Sequence, residues 1–473
     1  MDTQKLRQRI LDLAIRGKLL PQDPNDEPAS VLLDRIRAEK ERLIAEGKLK
    51  RPKAKKSTDK SHYQNFTPPF DIPESWQWVK IDEIASSNIG LTYSPQDIVD
   101  DGVPVYRSNN IRDNKICLDD IVYVSCPILE KQYLNNGDLL ICARNGSRRL
   151  VGKNVIIENL ERPTSFGAFM AVCRSCYNPW IKLLLDSAYF NSYLDESNST
   201  AINQITQKML LDFILPLPPK EEQSRIISAF HSIVGVIDGI DQSKKNLSES
   251  IANLKSKILD LAMQGKLVPQ DPADEPAAEM LRRVNPKAKI ITDNPHYPQL
   301  PDNWAYLSLS DINTYKSSTV TPANMPEQLF DLYSVPIFST LMPEKTQGSE
   351  IGSAKQVIKK GDVLLCKINP HLNRVWEITE DSDNVQIASS EWIVVKSELH
   401  HPTFLKWYFN SPKFRSLLSS QVSGVGGSLT RAQPAIVKSY LVPIPPMEEQ
   451  ERITSAIELW FNSLDTINIS LTN

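Results

Sequence analysis

The chain has 473 residues, 41% of them hydrophobic and 23% charged, with a formal net charge of −3. That length exceeds what one hydrophobic core ordinarily supports, so two or three domains are expected, and the near-neutral charge argues against coating nucleic acid by bulk electrostatics while allowing a local basic groove. No apolar run approaches the ~20 residues of a membrane helix; the opening MDTQKLRQRI is charged where a signal peptide needs apolar residues, and the six cysteines lack a disulfide-like spacing. A cytoplasmic protein with reduced thiols is expected.

The first element in the chain is ILDLAIRGKLLPQDPNDEPA, residues 10 to 29. It returns as ILDLAMQGKLVPQDPADEPA at 258 to 277, an offset of 248, with sixteen of the twenty positions identical. This is an internal duplication. Residues 1–61 carry 16 Lys and Arg against 10 Asp and Glu and end in GKLKRPKAKKSTDKS, a Lys-rich linker that reads as a solvated tether, with a phosphate-touching arm as the alternative.

Residues 62–215 and 296–442 form two globular regions that repeat weakly. HYQNFTPPFDIPESWQWVKIDEI parallels HYPQLPDNWAYLSLSDI, and NNGDLLICARNG parallels KKGDVLLCKINP. Short β-branched or aliphatic stretches (VPVYRS, GDLLICA, GDVLLCK, EWIVVK) punctuated by Gly, Pro and Asn predict strands. WIKLLLDSAYFNSYL and TFLKWYFNSPKFRSLL predict helices. An α+β domain is expected in each half.

The central segment 216–295 and the terminal segment 443–473 carry the second duplication. FILPLPPKEEQSRIISAF, from Phe213, matches YLVPIPPMEEQERITSAI, from Tyr440, at an offset of 227. Subtracting 227 from 473 gives 246 and adding 248 to 1 gives 249, so the two chain ends tile one central segment: a circularly permuted tandem repeat. Between Pro219 and Pro269 there is no proline, and Ile226, Phe230, Ile233, Ile237, Ile240, Leu247, Ile251, Leu254, Ile258 and Leu261 recur at steps of four and three, with Lys244 interrupting the seam. The C-terminal copy keeps this phase at Ile453, Ile457, Trp460, Leu464, Ile467 and Leu471, and the N-terminal copy at Leu6, Ile10 and Leu13. Each helix follows a Pro-Pro stop and begins with Glu-Glu, favourable at the positive end of the helix dipole. At ~1.5 Å per residue, Ile226 to Leu261 gives a rod of about 54 Å. The expectation is two α/β domains separated by two long antiparallel coiled-coil helices with pseudo-two-fold symmetry, the chain termini meeting to rebuild the second rod.

The paired PLPPKEEQSRI and PIPPMEEQERI helix starts, the LDLAIRGKL and LDLAMQGKL helix ends and the GDLLI and GDVLL strands together resemble the specificity subunits of type I restriction-modification systems. The likeness covers nearly the whole chain. It implies two target-recognition domains that read the two halves of a bipartite, asymmetric site in double-stranded DNA. It also implies helices that act as spacer and dock two methyltransferase (modification) subunits, with restriction and translocase subunits in a complex that cuts. The chain itself would be non-catalytic and hold no cofactor, with S-adenosylmethionine, ATP and Mg on the partner subunits.

Base edges in the major groove are told apart by donor and acceptor pattern, which calls for polar and cationic side chains on loops at the rim of a sheet. In the first domain the candidates are Arg107, Ser108, Asn109 and Asn110; Arg144, Asn145, Ser147, Arg148, Arg149 and Lys153; and Asn203, Gln204 and Thr206. In the second they are Lys367, Asn369, His371, Asn373 and Arg374, then Ser428, Thr430 and Arg431 in a Gly-rich loop that lacks the ending of a Walker A motif.

Chemistry-bearing motifs are sparse. Thr67-Pro-Pro-Phe70 resembles a methyltransferase tetrad with Thr in place of the required amide or acid, and Cys173 and Cys176 form a lone CxxC read as strand-edge cysteines. His400 and His401 read as surface residues before Pro402. No metal-binding acid cluster of a nuclease stands out. A self-contained methyltransferase or nuclease and a purely structural coiled-coil scaffold are the competing readings.

Overall fold

The computed structural model describes residues 2–47, 66–197, 203–288, 290–291, 300–420, 422–423 and 430–472. The Lys-rich linker at 48–61 and the termini expected to meet, Met1 and Asn473, lie outside them. The chain divides into two compact units, 2–242 and 243–473, with the division inside one continuous helix, Lys220–Met263. At ~1.5 Å per residue its 44 residues span about 66 Å. The mixed helix and sheet content expected from the sequence is borne out in both units.

In the first unit the strand Gln77–Lys80 pairs antiparallel with Ile214–Leu217. One four-stranded sheet runs Ser165–Phe166, Val103–Tyr106, Val122–Val124, Ile98–Val99. A second runs Ser86–Ile89, Met170–Arg174, Leu139–Cys142, Asn154–Ile156. The GDLLIC stretch is thus a central strand, buried at all four positions from Leu139 to Cys142. Helices Asn178–Leu185 and Ala188–Ser197 cover it, burying Trp180, Leu184, Phe190 and Leu194 with Phe213 in one apolar core.

The second unit follows the same plan with different sheets. Ala305–Ser308 pairs with Leu441–Ile444, Val363–Cys366 lies between Val375–Glu377 and Trp392–Val395, and a five-stranded sheet is centred on Val385–Ala388. Helices Pro402–Asn410 and Pro412–Ser420 bury Phe404, Phe409, Phe414 and Leu418.

The duplicated motifs become one frame, built twice. Helix Thr3–Ile15 ends where Gly17, at φ 67°, lets the Lys18 N–H reach the Leu13 carbonyl at 2.9 Å; Gly265, at φ 66°, does the same through Lys266 and Leu261 at 2.9 Å. This left-handed closure suits glycine. The chain then turns back so that Gln22 and Gln270 meet the starts of the proline-initiated helices. Buried Glu222 accepts the indole N–H of Trp76 at 2.9 Å and the Gln22 amide at 2.7 Å. Glu449 accepts Trp304 at 2.9 Å and Gln270 at 2.5 Å. Arg225 donates to Asp26 at 3.0 Å, and Arg452 to Asp274 at 3.1 Å. Burial pushes both glutamate carboxyls above their ordinary range, a shift their donors only partly offset.

Helix pairing is antiparallel in each unit. In the first, Asp26 meets Arg225 while Arg7 donates to Asp238 and Asp241 at 2.6 Å each. In the second, Asn468 meets Ser248 at 3.1 Å and Asp465 meets Lys255 at 2.5 Å. The seam is covered only in part. Ile226, Ile237, Ile251, Ile453 and Ile457 are buried, whereas Leu247, Leu254, Trp460 and Ile467 are exposed. A straight helix drifts about 20° per heptad from a strict seam, so one partner helix cannot cover every turn.

Two expectations are corrected. His400 is not a surface residue: it is 3% exposed, its Nε2 donates to the Pro443 carbonyl at 3.0 Å, and its Nδ1 accepts from Ser397 at 3.0 Å. Burial lowers its pKa to about 4, so the ring is neutral. In the first unit the equivalent carbonyl, Pro216, takes the Trp180 indole N–H at 2.8 Å. Cys173 sits mid-sheet rather than at a strand edge, with its thiol pushed up to about 12 by burial. Among the described residues no cluster of metal-ligating side chains occurs, and no helix is long and apolar enough to cross a membrane.

Candidate nucleic-acid interface

In the first unit, Leu139–Cys142 and Asn154–Ile156 are adjacent antiparallel strands, so the RNGSRRLVGK stretch between them is a hairpin loop. Its rim is built from backbone. Ala143 and Arg144 both donate to the Phe169 carbonyl, at 2.9 and 3.0 Å, and Ile205 donates to the Ala143 carbonyl at 2.7 Å. Arg144 and Gln204 form a bridge. Two stretches some sixty residues apart in sequence are therefore laid side by side.

The third stretch joins them. Asn145 donates to the Ser108 hydroxyl at 3.3 Å, and Asn203 donates to the Gly146 carbonyl at 3.2 Å. Asn145 also closes the loop by accepting the Ser147 N–H at 3.0 Å. All three predicted stretches of this domain thus meet at one edge. Ser147 and Arg149 are exposed and Lys153 is half-buried. Arg148 is held by Asp195 at 2.6 Å, and Arg107 donates to the Asp120 carbonyl at 3.0 Å and its carboxylate at 3.2 Å. Asn109 bonds to the same Asp120 carboxylate. Carboxylates that fix a guanidinium aim its planar fork, the geometry suited to phosphate or guanine recognition.

The second unit repeats the construction. Lys367 donates to the Glu391 carbonyl at 3.1 Å, Ala432 donates to the Lys367 carbonyl at 2.8 Å, and Ile368 bridges Arg431. Asn369 ties the loops by donating its N–H to Thr430 at 2.8 Å and accepting the Thr430 N–H at 3.1 Å. Arg431 is paired with Glu391 at 2.9 Å, and His371 is exposed at the tip. Ser428 lies outside the described residues.

Several candidates are spent on structure instead. Asn110 is fully buried, and its side chain bonds the Arg107 N–H at 2.9 Å and the Cys117 and Asp119 carbonyls at 3.2 Å each. It cannot also meet a base edge. Asn373 is 8% exposed, and its amide donates to the Phe409 carbonyl at 3.0 Å; it holds the loop to a helix. Thr206 caps helix Gln207–Asp212 by accepting the Met209 N–H at 3.1 Å. Arg374 folds back towards the Ile368 carbonyl at 3.5 Å. Phe70 of the tetrad-like stretch is buried 5.1 Å from the Trp78 ring and 5.4 Å from that of Tyr189, an anchoring role. Residues that sequence reasoning missed are Asp120, Asp195 and Glu391, which position the arginines, and Phe169. Only pairing across the sheet reveals them.

Residues 73–249 match the family described as Type I restriction modification DNA specificity domain. The chain is 26% identical to the type I restriction enzyme EcoEI specificity subunit of Escherichia coli, over 99% of this chain and 90% of that one. It is 28% identical to the EcoAI specificity subunit of the same species, over 66% of this chain and 62% of that one. Its fold matches a chain from a type I restriction-modification system solved for complex assembly and conformational transition. The TM-score is 0.57 with 15% identity, covering 85% of this chain and 94% of that one. With that domain matched over residues 73–249, the same frame repeated in its second half and a relative aligned along nearly its whole length, the chain is similar to the specificity subunits of type I restriction-modification systems.

Proposed function

We propose that the chain is the non-catalytic DNA-recognition subunit of a type I restriction-modification complex, and that each unit reads one half of a bipartite, asymmetric site. One observation carries this reading. Both units build the same backbone-defined edge on the same helical frame, yet furnish it with different side chains: Ser108, Asn145, Arg148 and Asn203 in one, Lys367, Asn369, His371 and Arg431 in the other. A shared frame with unlike edges suits one duplex and two unlike half-sites. Phosphate contacts from Arg149 and Lys153 would fix register, while the amide and guanidinium groups read base edges.

The helix in which the first unit ends and the second begins serves as spacer. Its exposed apolar turns, with the matching ones of the C-terminal helix, are the docking surface for two modification subunits, which bring S-adenosylmethionine; ATP and Mg belong to restriction subunits. The chain works in the cytoplasm, where its DNA is. The test is binding and methylation of a random-sequence duplex library by the chain reconstituted with its modification subunits. Selective retention of one bipartite sequence is expected. Methylation or cleavage by the chain alone would establish the enzyme reading, and reconstitution without any sequence preference would leave only a scaffold.

A further inference from the structure

The residue whose carbonyl anchors the reading loop occupies the same structural place in both units. Met170 stands opposite Cys142 in one sheet and Trp392 opposite Cys366 in the other. The preceding residues, Phe169 and Glu391, accept the N–H of the residue following that cysteine, Ala143 at 2.9 Å and Lys367 at 3.1 Å. The backbone is equivalent and the side chains are opposite in chemistry. Phe169 is 62% exposed, at the end of a turn closed by Met170 donating to Gly167 at 2.8 Å. The Arg144 guanidinium lies 5.5 Å from its ring centroid. Glu391 is mostly covered: one carboxylate oxygen accepts Arg431 at 2.9 Å, and the other is buried without a hydrogen-bond partner.

An exposed phenyl ring gains nothing from the fold's own core, and it lies beside Arg144, the residue next to Asn145, which bonds Ser108. Among base edges in the major groove, only thymine offers an apolar feature, its C5 methyl. We infer that Phe169 is a specificity-determining residue that packs against a thymine methyl in the half-site read by the first unit, with Arg144 stacked on its ring. Glu391 is the corresponding positioning residue of the second unit, which fixes Arg431 in place of an apolar contact. The inference rests on the DNA-recognition reading above.

Replacing each half-site thymine in turn by deoxyuridine removes that methyl and nothing else. With the reconstituted complex, one such replacement should weaken binding about four-fold, the value of one buried methyl-sized group at ~0.8 kcal/mol. F169A should bind the thymine duplex about as weakly as the wild type binds the uridine duplex, and should be indifferent to the replacement. F169L, which keeps an apolar side chain, should restore the sensitivity. A wild type indifferent to every replacement, a half-site without thymine, or an F169A complex that remains sensitive would each overturn the assignment. A wild-type complex with no sequence preference at all would instead overturn the DNA-recognition reading itself.

Discussion

Gly17→Ala should destabilise the first unit by about 2.5–5 kcal/mol, from two sources. A non-glycine residue in the left-handed region costs ~1–2 kcal/mol, and Gly17 sits there at φ 67°. An added Cβ would also stand 2.5 Å from Pro73 Cγ and 3.1 Å from Trp76 Cζ2. Pro73 is not free to retreat, because its carbonyl accepts the Trp76 N–H at 3.0 Å and the Trp76 indole is bound to Glu222 at 2.9 Å. Moving it forfeits a hydrogen bond to a charged group, worth ~1.5–3 kcal/mol. Gly47 supplies the control: its φ is 72° but nothing lies within 4 Å of the added atom, so Gly47→Ala carries the backbone cost alone. Gly265→Ala should reproduce the loss in the second unit, where the added Cβ falls 2.9 Å from Pro301 Cδ. The assay is urea unfolding of the full chain, in which two units with separate cores can unfold in separate transitions. Gly17→Ala should shift one and Gly265→Ala the other. A Gly17→Ala loss within 0.5 kcal/mol of the Gly47→Ala loss would refute the close-packed corner.

Burial raises the carboxyls of Glu222 and Glu449, so each holds its proton more tightly folded than unfolded. Their contribution to stability is full below the ordinary value of 4.5 and is lost as pH rises through the folded pKa. Unfolding free energies of wild type and Glu222→Gln, compared from pH 4 to pH 8, should show the wild-type advantage shrinking with pH; a rising advantage would contradict the burial. Asn110→Ala removes a buried amide from the Arg107 N–H and from the part-buried Cys117 and Asp119 carbonyl bonds and should cost about 1–3 kcal/mol of stability in thermal unfolding, whereas Asn145→Ala should cost less stability and more selectivity in duplex competition. Arg148→Ala should relax selectivity at one half-site and Arg431→Ala at the other, read by binding to duplexes altered one base pair at a time. Equal relaxation of both half-sites by either change would end the assignment of one unit to one half.

Much of this arrangement was legible in the sequence because it depends on local and repeated signals. The Gly17 and Gly265 helix ends, the proline-initiated helices and the GDLLIC and GDVLLC strands each carry their own turn chemistry or periodicity, and the duplication predicts that what one does the other repeats. Within the site, the stretches around 107–110, 144–153 and 203–206 read as separate polar loops, and their convergence on one edge depends on pairing across the sheet. What the sequence hid was which side each polar group would face. Asn110 and Asn373 look like readers in a string of polar residues, but both fold inward, Asn110 onto loop carbonyls and Asn373 onto a helix carbonyl. His400 looks exposed beside His401 and Pro402, yet it replaces a tryptophan at a buried carbonyl. The exposed Phe169 escaped because apolar residues are assigned to the core by default. The heptad seam is legible in the sequence, but not how far one partner helix covers it: Leu247, Leu254, Trp460 and Ile467 keep the phase and yet stay exposed.

The most direct test of the central claim is to map every methylated base in a genome expressing this chain with its modification subunits, for the wild type and for Arg148→Ala. The expected outcome is one sequence in two specific parts separated by unspecified bases, with only one part degenerate in the variant. An undivided target, or a variant that blurs both parts alike, would contradict two unlike readers on a duplicated frame.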